Sequence, residues 1–333
     1  MREWEIARRS FLADTIWNKA AIKWLAADAS FRRYARIGKA GQNAVLMDAH
    51  LEKENVEAFI RVAQLLSEAG VSTPKILKAD YKNGFVLLED FGDQTFTRLL
   101  KHGANVEDLY DLAIDNLIQI RRGFNAQPTG IPDFSPSLRA EQLSIVFDWL
   151  WPEILPSGPS PEQRDEFIDL WRTALKEAPN LGIGLVHRDF HVDNLMRLHD
   201  GACGVLDFQD AAWGPLAYDL ASLIEDARRP LEPEIRARCI DRYQAAFPHL
   251  SSEEISAAIA VHGGQRHMRV AALWVRLFRR DKKSDYLQHM QHTWKLLEAS
   301  LSHPLLSDVS NYLDRNIPKD ARERAKLLGE TIK

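Results

Sequence analysis

The stretch that decides the fold covers residues 184–219 and reads GLVHRDFHVDNLMRLHDGACGVLDFQDAAWGPLAYD. A short apolar run predicts a β-strand that leads directly into His187-Arg188-Asp189, and Asn194 lies five residues after that aspartate. The turn residues His199-Asp200-Gly201 predict a hairpin that ends at Asp207-Phe208. The segment therefore brings two acidic side chains and one amide to the ends of predicted strands.

The spacing of these residues is that of the protein-kinase catalytic loop, His-Arg-Asp-x-x-x-x-Asn followed by Asp-Phe, with Gln209 where protein kinases have glycine. Phosphoryl transfer from ATP uses a divalent cation that bridges the triphosphate oxygens, and Mg²⁺ prefers carboxylate and amide oxygens. Asn194 and Asp207 are therefore the predicted metal ligands. Asp189 is the predicted catalytic base, because the acceptor hydroxyl must be oriented and must lose its proton as the new bond forms.

The composition of the chain excludes several classes of protein. Its 333 residues contain 43 Lys and Arg against 47 Asp and Glu, a formal net charge of −4, so no basic field indicates a nucleic-acid partner. The two cysteines, Cys203 and Cys239, are too few for a disulfide framework and lack metal-ligand spacing. No apolar run is long enough to span a membrane, and the acidic residues near the N-terminus are atypical of a targeting peptide. We expect a cytoplasmic protein.

Hydrophobic patterning predicts different structures before and after residue 92. Residues 1–17 predict a surface helix, and the elements that follow have the order β-β-β-α-β-β, with strands at 21–26, 34–38 and 44–49, a helix at 54–68, and strands at 75–80 and 84–90. Helical patterns then dominate, at 95–101, 106–122, 138–151, 161–177, 231–247, 252–280, 284–301 and 318–331. The expected fold class is α+β, with a β-rich lobe over 1–92 and a larger helical lobe over 93–333.

The catalytic segments LVHRDFHVDNLM, GVLDFQD and WGPLAYDLASL resemble the aminoglycoside phosphotransferase and choline kinase-like superfamily. DASFRRYARI, AVLMDA, VLLEDFGD and GGQRHMRVAALWVRL add a resemblance to the bacterial anomeric kinases of N-acetylmuramate and N-acetylglucosamine. The resemblance implies a bilobal protein-kinase-like fold with ATP held between a nucleotide-binding lobe and a lobe that carries the acceptor site. It also implies phosphorylation of the C1 hydroxyl of an amino sugar during the recycling of cell-wall peptidoglycan.

On the nucleotide side, the resemblance implies that the hinge, whose backbone hydrogen-bonds adenine, lies at residues 89–91. Two positions depart from the protein-kinase pattern: residues 28–33 contain no glycine where a glycine-rich loop covers the phosphates, and Met47 replaces the lysine of the third strand. The phosphate-neutralising cation is then Arg32, Arg33 or Lys53, each of which is alternatively an ordinary surface charge, or Mg²⁺ acts alone. The predicted nucleotide-binding residues are Ser30, Phe31, Arg32, Arg33, Met47, Glu89, Asp90 and Phe91.

On the acceptor side, a carboxylate on the sugar favours an arginine. The predicted helix 252–280 carries Gln265, Arg266 and His267, which are the predicted acceptor contacts on that helix. Trp213 is either a platform for a sugar face or a core residue, and Asp210 is placed to reach a magnesium-bound water or the acceptor. The other basic residues of 266–283 predict a solvated helix face.

Two further residues are predicted to support the catalytic loop. His187 is expected to pack beneath the metal-binding loop, and Asp219 to hydrogen-bond the loop backbone or cap its own helix. His191 and Asp193 are expected to form the loop scaffold or to contact the acceptor. The same segment contains residue types found at zinc sites, but no second His/Glu helix completes such a site.

The sequence leaves two other functions open. One keeps the fold but changes the acceptor to an aminoglycoside, a choline-like alcohol or homoserine, although basic residues suit the first two, which are cationic, less well. The other is a nucleotide-binding pseudokinase, which the missing glycines and Met47 suggest and which the retained catalytic side chains oppose. We expect a monomer that binds ATP, Mg²⁺ and a small amino sugar, without a nucleic-acid or membrane partner.

Overall fold

The computed structural model describes residues 2–25, 32–49 and 55–331. The chain divides into two compact units. The first comprises Met1–Asn105 and Val192–Ala211, and the second comprises Val106–His191 and Ala212–Lys333. The first unit thus contains residues 93–105 and 192–211 in addition to the predicted lobe of 1–92, and the division of the chain into lobes at residue 92 stays a prediction.

The chain begins with one helix, followed by five strands with a second helix among them, and then a short helix. Their bounds are α1 Arg2–Leu12, β1 Ala21–Trp24, β2 Arg33–Lys39, β3 Gln42–Asp48, α2 Val56–Glu68, β4 Ile76–Asp80, β5 Phe85–Glu89 and α3 Phe96–Lys101. The strands form one antiparallel sheet in the order β1-β2-β3-β5-β4. The predicted order β-β-β-α-β-β and the α+β class are therefore confirmed.

Helix α2 forms because its first turn is capped and one of its faces is apolar. The side chain of Asn55 accepts a hydrogen bond from the backbone N of Ala58 at 2.9 Å, which satisfies a donor that the helix itself leaves unpaired. The predicted apolar face is buried, namely Val56, Phe59, Ile60, Ala63 and Leu66. Phe59 of this helix packs against Phe208, with ring centroids 4.9 Å apart.

Helix α1 is a surface helix with one buried edge. Its residues Phe11 and Leu12 are buried in an apolar cluster with Ile37, Leu46 and Phe85 of the sheet. The sheet residues Met47 and Val45 alternate with Leu46 along β3, so they belong to the opposite face. The sheet therefore has one face packed against α1 and another that is available to the candidate site.

The rest of the chain is mainly helical. Its elements are α4 Val106–Gly123, α5 Pro136–Glu141, α6 Trp151–Ile154, α7 Pro161–Glu177, β6 Ile183–Val186, β7 Leu195–Arg197, β8 Cys203–Val205, β9 Ala212–Pro215, α8 Ala217–Ile224, α9 Pro233–Ala246, α10 Ser252–Asp281, α11 Met290–Leu301, α12 Ser307–Asn316, α13 Lys319–Lys326 and α14 Leu328–Thr331. Strand β6 pairs with β9 in the second unit, and β7 pairs with β8 in the first.

Three predicted helices differ from the structure. The single helix expected at 138–151 is wrong: α5 ends at Glu141, a π-helical turn covers Val146–Leu150, and α6 follows. Pro152 accounts for the wide turn, because its ring has no N–H for the preceding turn and crowds the carbonyl four residues earlier. The segment 284–301 begins with a 3₁₀ turn rather than an α-helix, and 318–331 contains two short helices. Helix α12 was not predicted, since its apolar face is only Val309, Tyr312 and Leu313.

Helix α10 is the central element of the second unit. A capping box between Ser251 and Glu254 starts it, and Lys282, with a positive φ of 59°, ends it after 30 residues. The large core around it includes the fully buried side chains of Trp171, Trp274 and Trp294. Across the described parts of the chain, no helix is long and apolar enough to cross a membrane.

Candidate active site

The loop that follows β6 is held by one buried carboxylate. The Oδ2 of Asp219 accepts a hydrogen bond from the backbone N of His187 at 2.6 Å, and Oδ1 accepts one from the backbone N of Arg188 at 2.9 Å. Arg188 has a φ of 75°, a left-handed conformation that a non-glycine residue adopts only where its surroundings enforce it. Asp219 thus makes the backbone contact that the sequence indicated, rather than capping its own helix.

Asp219 is nearly inaccessible to solvent, and its ionisation is correspondingly difficult. Burial raises the pKa of this carboxyl to about 6, although the His187 imidazole, the two backbone hydrogen bonds and the Arg266 guanidinium act in the opposite direction. At neutral pH the carboxylate is mostly ionised. It then holds the loop backbone through two charge-assisted hydrogen bonds.

His187 supports the same loop from its own side chain. The imidazole is buried, its Nδ1 accepts a hydrogen bond from the backbone N of Asp189 at 3.2 Å, and its ring meets Phe190 edge-on with centroids 5.7 Å apart. The side chain therefore lies inside the turn, where it orients the aspartate backbone.

Asp189, the predicted base, has a carboxylate that is half exposed. Its Oδ1 lies 3.5 Å from Nη2 of Arg266 and 3.6 Å from Nε2 of His191. Partial burial favours the protonated form, but His191, Arg266 and two further arginines at 228 and 269 outweigh this and lower the pKa of Asp189 to about 2. The carboxylate is consequently ionised at any physiological pH, and part of it is open to a ligand.

His191 is buried beside Asp189 and is neutral at pH 7. Its Nε2 accepts a hydrogen bond from Nη1 of Arg228 at 3.1 Å, so the ring proton belongs on Nδ1. Burial and the Arg228 charge lower the pKa of His191, while Asp189 raises it. The imidazole therefore contributes packing and a dipole next to Asp189.

The predicted metal ligands lie in the first unit, on the wall of a cavity of about 290 Å³. Asn194 precedes β7, Asp207 follows β8, and the backbone N of Leu206 donates to the Asn194 carbonyl at 2.9 Å. Asp207 has a φ of 60°. The hairpin thus places the asparagine and the aspartate on one cavity wall, and their role as metal ligands stays a prediction.

The carboxylate of Asp207 is partly neutralised by its neighbours. Oδ1 accepts from Nη2 of the buried Arg32 at 2.9 Å and from Nε2 of Gln209 at 3.2 Å, while Oδ2 receives no hydrogen bond from the described residues. Gln209 also donates to Oδ2 of the exposed Asp210 at 3.1 Å. An open carboxylate oxygen and an amide side chain on the same wall fit a hard divalent cation such as Mg²⁺.

The predicted hinge residues line the same cavity. Asp90 is fixed by Arg36, whose Nε lies 2.6 Å from Oδ2 and whose Nη2 donates to Oδ1 at 2.9 Å. The Oε2 of Glu89 accepts from the backbone N of Lys75 at 3.2 Å. Phe91 packs so closely over Gly204 that a Cβ there would lie 2.7 Å from its ring. The side chains of all three predicted hinge residues are thus held at the cavity wall.

The other predicted nucleotide residues have different positions. Met47 is buried on β3 and does not line the cavity, whereas Val45 of the same strand does. Arg33, the first residue of β2, lies over the Trp24 ring at 4.0 Å from its centroid. Ser30, Phe31 and Lys53 lie outside the described residues, so their roles remain predictions.

The predicted acceptor residues are distributed over several contacts. Nε2 of Gln265 donates to the Arg139 carbonyl at 2.9 Å, and Nε2 of His267 lies 3.1 Å from a Glu225 oxygen. Arg266 is the member of this group that reaches Asp189. Trp213 lines a different cavity of the second unit, of about 390 Å³, together with Phe134, Arg139 and His262. The acceptor roles of Gln265, His267, Trp213 and Asp210 remain predictions.

Four residues of these surroundings were not predicted as site residues. They are Arg36, Gln209, Arg228 and Arg269. Gln209 had a signal, since it directly follows the Asp-Phe pair. The three arginines had no sequence signal that distinguishes them from ordinary surface charges, because their contacts form only when folding brings distant segments together.

Comparison with known proteins identifies the family of the chain. Residues 21–254 match the model of the phosphotransferase enzyme family. The chain is 30% identical to the N-acetylmuramate/N-acetylglucosamine kinase of Caulobacter vibrioides, in an alignment that covers 96% of this chain and 98% of the relative. It is 34% identical to the protein of the same name from Pseudomonas aeruginosa, over 88% of each chain.

Solved structures resemble the chain in fold. The choline kinase LicA of Streptococcus pneumoniae superimposes with a TM-score of 0.64 at 14% identity, over 90% of this chain and 100% of that one. An aminoglycoside-3′-phosphotransferase of type VIII does so with a TM-score of 0.54 at 15% identity, over 80% of this chain and 100% of that one. Family match, relatives and fold agree with the predicted superfamily, and the chain belongs to the phosphotransferase enzyme family.

Proposed function

We propose that this phosphotransferase is an ATP-dependent kinase that phosphorylates the C1 hydroxyl of N-acetylmuramate and/or N-acetylglucosamine. The observation that carries the proposal is the ionised, half-exposed Asp189 in a chain that is 30–34% identical to kinases named for these two sugars. The resulting sugar 1-phosphate suits a cytoplasmic route that returns cell-wall sugars to nucleotide-sugar synthesis.

In the proposed reaction Asp189 acts on the acceptor hydroxyl. Asp189 accepts a hydrogen bond from the C1 hydroxyl and takes its proton as the oxygen forms a bond to the γ-phosphorus of ATP. The bond between that phosphorus and the bridging oxygen breaks, and ADP leaves. Asp189 then returns the proton to solvent, so the products are the sugar 1-phosphate, ADP and one proton. A low pKa suits a group whose first task is to orient the hydroxyl rather than to hold a proton.

The first unit is proposed to bind the nucleotide. Apolar side chains of the 290 Å³ cavity, including Val45, Leu88 and Leu206, form a surface for the adenine ring beside the hinge backbone. Asn194 and Asp207 would hold Mg²⁺, which neutralises charge on the phosphate oxygens when bound. Arg32, paired with Asp207 at 2.9 Å, is the described cation nearest to this role.

A panel of acceptors tests the proposal. Purified protein is incubated with ATP and Mg²⁺ and with N-acetylmuramate, N-acetylglucosamine, an aminoglycoside, choline or homoserine, and the product is identified by ³¹P and ¹³C NMR. We expect phosphorylation of at least one of the two sugars, with phosphorus coupled to C1. Turnover of an aminoglycoside, choline or homoserine without turnover of a sugar would contradict it, as would phosphorylation at C6. Absence of turnover with ATP still bound would favour the pseudokinase.

A further inference from the structure

The surroundings of Asp189 carry more positive charge than one carboxylate requires. The arginines at 228, 266 and 269 all lower the pKa of Asp189, and the adjacent His191 is neutral. A second carboxylate, Asp226, accepts a hydrogen bond from the backbone N of Arg228 at 2.9 Å. Three arginines thus act on the Asp189 carboxylate, and an anionic group on a ligand would give them a further partner.

Arg266 is the buried member of this group. It is only 2% exposed, Nη2 reaches Asp189 at 3.5 Å, and the buried Nη1 has no hydrogen-bond partner among the described residues. A buried guanidinium nitrogen without a partner is costly, because it has lost its water and gained no acceptor. The structure therefore contains a donor that is placed beside the base and is unused.

Arg269 follows Arg266 by three residues on α10, so both side chains leave the helix on the same face. It is partly exposed, whereas Arg266 is buried. Within the described ranges, Arg269 has neither an ion-pair nor a hydrogen-bond partner, in contrast to Arg279 and Arg280 further along the helix, which pair with Glu153 and Asp281. Arg269 is thus an accessible cation on the side of the helix that faces Asp189.

The two proposed sugars differ in the kind of group that such a cation recognises. N-acetylmuramate carries a lactyl ether at C3, which ends in a carboxylate, whereas N-acetylglucosamine has a hydroxyl there. Because C3 is separated from C1 by a single ring carbon, a sugar with its C1 hydroxyl at Asp189 has its carboxylate within a side-chain length of the base. Guanidinium groups bind carboxylates through paired N–H donors.

We propose that Arg269, with the free nitrogen of Arg266, binds the lactyl carboxylate of N-acetylmuramate and so sets the preference of the enzyme between its two sugars. This inference rests on the proposed function. Arg269 is the specificity-determining residue, since Arg266 also touches the base.

The test compares both sugars in Arg269→Gln, in Arg269→Lys and in a control, Arg280→Gln, which removes a charge from the same helix. Steady-state kinetics at saturating ATP are expected to show a KM for N-acetylmuramate raised at least about tenfold in Arg269→Gln. The KM and kcat for N-acetylglucosamine should stay within about twofold. Arg269→Lys should recover part of the loss, and Arg280→Gln should leave both sugars unchanged.

A second measurement uses the wild-type protein, so it does not depend on the folding of a variant. The methyl ester of N-acetylmuramate retains the shape of the lactyl group but lacks its charge, and we expect its KM to rise about as much as that of the acid does in Arg269→Gln. An ester that is turned over as well as the acid would overturn the inference. So would Arg269→Gln if it weakens both sugars equally while raising the KM for ATP, because Arg269 would then serve the nucleotide phosphates. Failure of the wild type to phosphorylate either sugar would refute the proposed function itself.

Discussion

At the scale of the residue, Asp189 and Asp219 are two carboxylates with opposite environments, the first in the loop after β6 and the second in helix α8, from which it holds that loop. Asp189 is half exposed among cations, which lower its pKa to about 2, whereas burial raises the pKa of Asp219 to about 6. When the pKa values of two neighbouring carboxyl groups differ this much, the two groups are suited to different tasks. Asp189 is the proposed base for the acceptor, and Asp219 holds the backbone of the two residues that precede Asp189.

Replacing Asp189 by asparagine is expected to reduce kcat by roughly 10²–10⁴-fold, because the side chain keeps its size but can no longer accept a proton. The affinity for ATP should change little. Single-turnover kinetics and calorimetry measure the two quantities separately. Asp308→Asn, an exposed change in α12, is the matched control, and wild-type turnover in Asp189→Asn would refute its role as the base.

The pH dependence of activity is expected to follow Asp219 rather than Asp189. As pH falls through about 6, Asp219 gains a proton and weakens its two backbone hydrogen bonds, while Asp189 stays ionised, so kcat/KM for the sugar should decrease. In Asp219→Asn, kcat/KM for the sugar should be lower at neutral pH and should not show that decrease. Since protonation of ATP is the same for both proteins, an acid limb that persists unchanged in the variant would contradict the assignment.

Ionisation of Asp219 should affect stability in the opposite direction to activity, so that its contribution to the free energy of unfolding decreases as pH rises. The folded-state pKa of about 6 lies above the ordinary value of 3.8, so folding takes up protons between these two values. The contribution of Asp219 to the free energy of unfolding is therefore fully present below pH 3.8 and is lost as pH rises through 6. Denaturant titrations of the wild type and Asp219→Asn across pH 4–7 measure this difference. Equal pH dependence in both proteins would show that Asp219 ionises normally in the fold.

At the scale of the element, the hairpin β7–β8 connects the predicted metal ligands to the predicted hinge. Asn194 and Asp207 flank its two strands, and Gly204 in β8 lies directly beneath the Phe91 ring. The neighbouring Phe208 stacks obliquely on Phe59 of α2 with centroids 4.9 Å apart. One short element thus positions both the metal end and the adenine end of the proposed nucleotide site.

Gly204→Ala is expected to weaken ATP binding about tenfold, because the new Cβ would lie 2.7 Å from the Phe91 ring and 3.0 Å from Leu198 and would displace the hinge. The KM for ATP should rise, and kcat at saturating ATP should change less. Gly158→Ala is the control, since its Cβ would meet no atom within 4 Å. An unaltered KM for ATP in a folded Gly204→Ala protein would show that Phe91 can move without weakening ATP binding.

The predictability of these elements depends on the range of the interactions involved. The signals in this segment are local. The apolar run before His187 and the turn at 199–201 predicted strand β6 and the hairpin, and the spacing of Asp189, Asn194 and Asp207 predicted the phosphotransferase class. The wide turn before Pro152 and the short helix α12 were missed, because weak periodicity competes there with helix-breaking residues. The ion pair of Arg32 with Asp207 joins residues 175 positions apart, and no pattern along the chain predicts such a partner.

At the scale of the whole molecule, ligand binding should stabilise the fold by linkage. ATP with Mg²⁺ at about 100 times its Kd is expected to add about 2.7 kcal/mol to the free energy of unfolding, seen as a rise in Tm. In Asp207→Ala the increment that Mg²⁺ adds to that of ATP alone should disappear. Comparing ATP with and without the metal within each protein separates this effect from the destabilisation caused by loss of the Arg32–Asp207 ion pair. A full metal-dependent increment in Asp207→Ala would exclude Asp207 as a ligand.

The composition of the first unit also bears on the synthesis of the protein. Its sheet and α2 belong to the first 105 residues, but its hairpin comes from Val192–Ala211, after the 86 residues of Val106–His191 that belong to the second unit. Because a chain emerges from the ribosome N-terminus first, the contact between Phe59 and Phe208 cannot form until the hairpin has emerged. During this interval the apolar cavity wall is uncovered. We therefore expect chaperones that bind exposed apolar surface to engage ribosome-bound chains of intermediate length.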